Sequence, residues 1–359
     1  MTHQRVSSSV IRTALVGFGI SGQVFHAPLL AADPQFSLAA IVTGNAERRH
    51  AAQQRYPQAR LITDWDALMQ QIDSGALAVD LIVLGTPPAQ HAQQAHDASR
   101  RGLHLVVDKP FAANAIEAET MIAEAQANHT LLTVFHNRRW DGDFLTLKRL
   151  LAEEQLGRMR SFESRFEWWR PEGFGNWRDR VTLAEGGGLL LDLGSHLIDQ
   201  AIQLFGPVRE ASAELARYGS PALSDSDEDA FVSLLHESGV RSRLWMNGQA
   251  ARPAPRFHLL GSRAAFTSWG LDNQEPSLAA GMLPTDAAYG VTPAAQWGAL
   301  GEGDNAQPVP HERGNYPAFY QQLARALHDG APAPVDAREA LAVLRLMDDL
   351  HARFTVRNA

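Results

Sequence analysis

Three stretches of this chain carry residue types at spacings that chemistry can use. In Val16-Gly17-Phe18-Gly19-Ile20-Ser21-Gly22 the glycines fall at G-x-G-x-x-G spacing, after a β-branched run and before a segment able to continue as a helix. In that context the turn is predicted to bind a dinucleotide. Gly17 makes the tight turn, Gly19 lets backbone amides approach a pyrophosphate, and Gly22 lets the helix lie close to the strand, with Ile20 and Ser21 at the mouth. A plain glycine-rich βα turn is the competing reading, since 28 glycines place a few at this spacing by chance. The second stretch, His104 to Pro110, is an apolar strand ending in Asp108-Lys109-Pro110. Lys109 would project from the strand end toward whatever a nicotinamide faces. The third holds Asp192 and His196 at i, i+4 on an otherwise apolar helix. An imidazole beside a carboxylate is held in one tautomer and can take or give a proton near neutral pH. Asp199 could support it from i+3. A packed helix histidine is the bland alternative, and a metal site from the same residues lacks a third ligand at recognisable spacing, so no metal is expected.

Residues around these stretches give the ligands more definition. The strand after the glycine turn ends in Thr43-Gly44-Asn45, with no acid to hold a ribose 2′-hydroxyl. Thr43 and Asn45 leave that space neutral, and Arg48, with Arg49 beside it, could meet a 2′-phosphate, which favours NADP over NAD. A solvated helix face is the other reading of both arginines. Thr86, Pro87 and His91 follow the next buried strand and are candidates for the ribose, although His91 also reads as a helix-surface histidine. His136 to Asp143 gathers Arg139, Trp140 and Asp141, and the loop from Trp168 to Arg178 adds Trp177 and Arg178. Rings that cover C–H faces beside charged groups that take hydroxyls suit a sugar or cyclitol.

The elements that must position these residues follow from pattern. Strands alternating with helices up to Phe135 predict a doubly wound parallel sheet, the Rossmann arrangement, over residues 1–136. Residues 137–359 are expected to form an α/β domain that binds substrate and oligomerises. It has a large, open, mainly antiparallel sheet, and its last helices are able to pack back on the first domain. One continuous helix is predicted from Leu189 to Phe205 and a long loop from Gly281 to Gly314. With 45% hydrophobic and 20% charged residues the chain reads as an ordinary globular protein. A net charge of −8 and no run of Lys and Arg argue against nucleic acid. The absence of cysteine excludes disulfides, thiolate catalysis and cysteine-bound zinc. No membrane span is expected, and the polar Met1 to Ser9 lacks a signal-like apolar core, so the protein is expected to be cytoplasmic.

Taken together, the glycine turn, Thr86-Pro87-Pro88 with His91, Asp108-Lys109-Pro110 and Asp192-x-x-x-His196 resemble the glucose-fructose oxidoreductase / inositol dehydrogenase family over nearly the whole chain. Phe25-His26-Ala27-Pro28-Leu29, Asn137 to Phe144 and Gly270 to Glu275 look most like its NADP-dependent scyllo-inositol dehydrogenases. The resemblance implies a nicotinamide-dependent enzyme that interconverts a secondary alcohol and a ketone of a polyol or sugar, and the large sheet face of the second domain leads to the expectation of a homodimer or homotetramer. It makes Lys109, Asp192 and His196 the catalytic set. Lys109 orients the reacting hydroxyl, and His196, supported by Asp192, moves the proton. Two departures stand out: Asp108 replaces a commoner glutamate, and Thr43-Gly44-Asn45 has no direct match for a phosphate-binding serine or arginine. A cofactor-sensing regulator and a dehydrogenase of a non-carbohydrate diol or ketone are the rival readings, since the fold alone excludes neither.

Overall fold

Short, mainly apolar strands build the first of two sheets in a computed structural model that describes residues 3–6, 9–175, 177–219 and 224–358. The chain divides into two units. The first comprises Met1–Asn137, Gln274–Tyr289 and Asn315–Leu341, and the second comprises Arg138–Asn273, Gly290–Gly314 and Ala342–Ala359.

In the first unit β1 (Ile11–Val16) leads through the glycine turn to α1 (Ala27–Ala32). There follow β2 (Phe36–Val42), α2 (Ala46–Arg55), β3 (Arg60–Ile62) and α3 (Trp65–Asp73). Next come β4 (Leu81–Leu84), α4 (His91–Ser99), β5 (His104–Val107), α5 (Ala115–Ala127) and β6 (Leu132–Val134). The strands pair in parallel in the order β3-β2-β1-β4-β5-β6. Every residue of β4 and β5 is buried, as a parallel sheet covered by its crossovers requires. Helix starts are fixed locally: Asn45, Asp64 and Asn114 each cap a helix by accepting a backbone N–H three residues on. The strand order reverses between β1 and β4, and ligands of such sheets lie outside the carboxyl ends at that point.

The second unit opens with α6 (Gly142–Ala152) and β7 (Ser161–Glu167), followed by α7 (Leu189–Asp192) and α8 (Gly194–Phe205). A run of strands follows: β8 (Val208–Arg217), β9 (Asp229–His236), β10 (Arg241–Asn247), β11 (Phe257–Leu260) and β12 (Ala265–Ser268). After α9 (Gln274–Ala279), in the first unit, β13 (Ala299–Gly301) and β14 (Gln307–Pro308) extend the second sheet. The chain ends with α10 (Pro317–Asp329), α11 (Ala337–Arg353) and β15 (Val356–Asn358). The nine strands run β14-β13-β12-β11-β7-β10-β9-β8-β15, antiparallel except where β7 meets β10 and β8 meets β15. Burial alternates strictly along β7, β9 and β10, and α8 packs against β7 and β10. Among the described residues no helix is long and apolar enough to cross a membrane.

Two expectations need correction. The helix predicted from Leu189 to Phe205 is two helices broken at Leu193 (φ −104°, ψ −34°), because Gly194 brings the chain close to Leu190 and to Met246 of β10. The break frees the Asp192 carbonyl, which the Ser195 hydroxyl then satisfies at 3.0 Å. The loop predicted from Gly281 to Gly314 carries two sheet strands, which at three and two residues are too short to show alternation.

Candidate active site

At the carboxyl end of β1, Gly17 takes φ +94°, a conformation that side chains disfavour, and a Cβ there would stand 2.5 Å from the Gly85 carbonyl beyond β4. The two strand ends at the reversal point therefore touch through glycine. A Cβ on Gly22 would meet the Gly17 carbonyl at 2.2 Å, so the turn closes tightly into a π-helical turn, Ser21–His26, and not directly into an α-helix. Above Gly19 the space is open: apart from chain neighbours, an added Cβ would find only Arg48 Nη1 within 4 Å, at 3.8 Å. Ile20 is 68% exposed at the mouth. A cleft closed by glycine below, open above and bordered by a guanidinium fits a dinucleotide.

The other cofactor candidates reach the same carboxyl-end edge by different routes. Thr43 is buried at the end of β2, and the Asn45 side chain is taken up in capping α2 through the Arg48 N–H at 2.9 Å. Arg48 itself is exposed and has no carboxylate partner among the described residues. The Thr86 hydroxyl donates to Gln94 Oε1 at 2.7 Å, and Pro87 is exposed beside it. His91 is corrected by the structure: it is fully buried, with Nδ1 3.1 Å from the Phe111 carbonyl and Nε2 2.9 Å from the Thr86 carbonyl. It is not a helix-surface residue and has no surface to offer a ribose. Burial lowers its pKa, partly opposed by those carbonyls and by Asp108. Beyond β5, Asp108 accepts the Lys109 backbone N–H at 2.8 Å and the Ser21 hydroxyl, and the Lys109–Pro110 bond is cis. Burial alone would raise the pKa of Asp108, yet His26, Ser21 and Lys109 outweigh it and hold the carboxyl below its usual range.

In the second unit Asp192 is the last residue of α7 and His196 the third of α8, both 4% exposed. Arg178 Nε donates to Asp192 Oδ2 at 2.6 Å, which ties the arginine-rich loop to the helix pair. The His196 ring meets the Phe166 ring edge-on at 6.1 Å, and the guanidinium groups of Arg256 and Arg138 lie 4.2 Å and 4.8 Å from the centre of the Phe166 ring. Asp227 places this pair of helices. Its carboxylate accepts the Leu190 N–H at 2.8 Å and lies so close to Gly188, itself at φ +100°, that a Cβ there would stand 2.3 Å from Asp227 Oδ1. Sequence reading missed Asp227 because nothing local marks a cap contributed from 37 residues away.

The cluster expected to face a polar ligand is largely engaged within its own unit. Arg139 makes a bidentate pair with Asp199, Nε–Oδ2 2.9 Å and Nη2–Oδ1 2.6 Å, so Asp199 serves Arg139. Asp141 is 1% exposed with Arg138 Nη1 at 3.4 Å, and Trp140 is 9% exposed. Asp143 is buried; desolvation raises its pKa to about 6 against the pull of Arg256. Of Trp177 only the backbone, which opens a short 3₁₀ turn, is described; its side chain lies outside the described residues.

A parallel sheet with a glycine turn at its reversal point, followed by a large mixed sheet, defines a dinucleotide-binding protein with two sheets. Residues 11–136 match the model of the oxidoreductase family with an NAD-binding Rossmann fold, and residues 144–267 match the GFO/IDH/MocA C-terminal domain. The chain belongs to that family and is a nicotinamide-dependent oxidoreductase. It is 31% identical to the Bacillus subtilis scyllo-inositol 2-dehydrogenase (NADP(+)) IolW, covering 94% of this chain and 92% of that one. With the uncharacterized oxidoreductase YdgJ of Escherichia coli it shares 36% identity over 95% of each. The crystal structure of an oxidoreductase from Bacillus cereus superposes with a TM-score of 0.82 over 96% of this chain and 97% of that one. At 24% identity that likeness speaks to fold.

Proposed function

We propose that the chain is an NADP-linked dehydrogenase that interconverts a secondary alcohol and a ketone on a cyclitol or sugar, with scyllo-inositol the leading candidate. The observation that carries this reading is the joint presence of an open glycine cleft beside Arg48 and of the polar residues Lys109, Asp192 and His196. The chain holding them is 31% identical to an NADP-dependent scyllo-inositol dehydrogenase. Bound at the cleft, the nicotinamide supplies hydride exchange with the substrate carbon. Gly17, Gly19 and Gly22 cradle the pyrophosphate, and Arg48 meets the 2′-phosphate. Lys109 orients the reacting hydroxyl, and His196 takes its proton during oxidation and returns it during reduction. Asp192, itself paired with Arg178, supports the imidazole through each exchange. Through the half-exposed alternate residues of β7, β9 and β10 the second sheet is proposed to form a homodimer or homotetramer.

A panel of inositols and sugars, scored for absorbance of reduced nicotinamide with NADP and with NAD, tests the reading. Turnover with at least one cyclitol or sugar, faster with NADP, is expected. Tight NADP binding without turnover of any member would make the protein a cofactor-sensing regulator.

A further inference from the structure

Behind the Lys109 strand end, His26 and Tyr320 form a polar pair that the chemistry above leaves unused. His26 closes the π-helical turn and Tyr320 lies on α10, 294 residues on. Neither side chain reaches solvent. Their contact is a 2.7 Å hydrogen bond between Tyr320 Oη and His26 Nδ1. Phe135 lies 4.5 Å from the imidazole, and Phe319 and Phe36 lie 5.3 Å and 5.4 Å from the phenol. A phenylalanine and an aliphatic residue would fill this aromatic cage without burying polar atoms, which cost free energy unless they are satisfied. What the pair adds is direction. His26 Nε2, otherwise without a hydrogen-bond partner, faces Asp108 Oδ2 at 3.9 Å. The carboxylate favours a proton on that nitrogen, which leaves Nδ1 as an acceptor and Tyr320 as its donor. Burial and the Asp108 charge raise the phenol pKa well above its ordinary value, so it keeps the proton it donates.

We propose that His26 and Tyr320 are positioning residues for Lys109. Tyr320 fixes the His26 tautomer, His26 presents Nε2–H to Asp108, and Asp108 sets the Lys109 backbone and the glycine turn through Ser21. One carboxylate thereby couples the dinucleotide turn to the strand end that carries the lysine. The inference rests on the assignment of Lys109 to the substrate hydroxyl.

The test uses the full chain labelled with ¹⁵N-histidine, and Tyr320→Phe, His26→Leu, His26→Gln and Lys109→Ala variants. Without cofactor, the resonance that disappears in His26→Gln should report an Nε2–H imidazole, and in Tyr320→Phe it should report both tautomers. Tyr320→Phe and His26→Leu should lower kcat about tenfold while KM for the polyol and Kd for NADP stay within about twofold. His26→Gln, which keeps an N–H toward Asp108, should recover part of the loss. A mixed tautomer in the parent protein overturns the proposal. So does an unchanged kcat in Tyr320→Phe, or a kcat loss matched by an equal loss of cofactor affinity and unfolding temperature. If Lys109→Ala keeps turnover, the assignment of Lys109 falls and the positioning role falls with it. If only Lys109→Ala loses turnover, the relay alone is wrong.

Discussion

The Arg48 guanidinium is exposed, without a carboxylate among the described residues, and beside the open space over Gly19. A charge-assisted contact of about 1.5–3 kcal/mol corresponds to roughly 10- to 100-fold in affinity. Arg48→Ala should therefore raise Kd for NADP by that factor and leave NAD unchanged in titrations followed by fluorescence; equal losses for both would place Arg48 outside the 2′-phosphate site. His104 makes a different kind of prediction. Burial, with the neighbouring His3, depresses its pKa to about 4 against a weaker opposing effect of Asp80, and its Nδ1 accepts the Leu131 N–H at 3.0 Å. Because the folded value lies below the unfolded 6.5, the contribution is complete above pH 6.5 and is lost as pH falls toward 4. From pH 7 to 5 the loss is about 2 kcal/mol, so His104→Asn should flatten this limb of stability measured by urea unfolding. An unchanged limb would mean that other groups set it. At this scale Gly17, Lys109 and His196 were proposed from the sequence because each sits at a strand end, a turn or a helix start, and of these the structure shows the tight turn at Gly17. The sequence did not make the Arg139–Asp199 pair legible, nor the burial of His91, since both depend on partners that come together only in three dimensions.

Elements were read well where periodicity was long and poorly where it was short. The caps at Asp64 and Asn114 are local, each accepting an N–H three residues on, whereas the break at Leu193 follows from the close approach of Gly194 to β10, which local pattern does not encode. The same lesson holds for β15, three residues held by parallel pairing with β8. The start of α7 is the element most exposed to test. Gly188→Ala forces a side chain to φ +100° and puts Cβ 2.3 Å from Asp227 Oδ1. The expected cost is about 2 kcal/mol or more, read by urea unfolding, with a fall in kcat because Asp192 ends this helix. Parental stability in that variant would contradict the role given to Asp227.

For the whole molecule, alternation in the first part and clustered strands in the second are the sequence signals of the two sheets; α9 and α10 belong to the first unit, an assignment that tertiary packing makes and local pattern does not. Assembly is testable through Trp245, which is half-buried on β10 with the Arg165 guanidinium 3.8 Å from its ring. Light scattering should report a dimer or tetramer for the parent protein and a smaller species for Trp245→Asp; a parent monomer would remove the sheet face from the account. In the proposed reaction, hydride passes between a polyol carbon and the nicotinamide. This transfer is tested most directly with the polyol returned by the screen, deuterated at its carbinol carbons and incubated with NADP. The reduced cofactor should gain one deuterium, at C4 of the dihydronicotinamide, read by mass spectrometry and NMR. Reduced cofactor free of deuterium, or no reduction by any polyol, would contradict it.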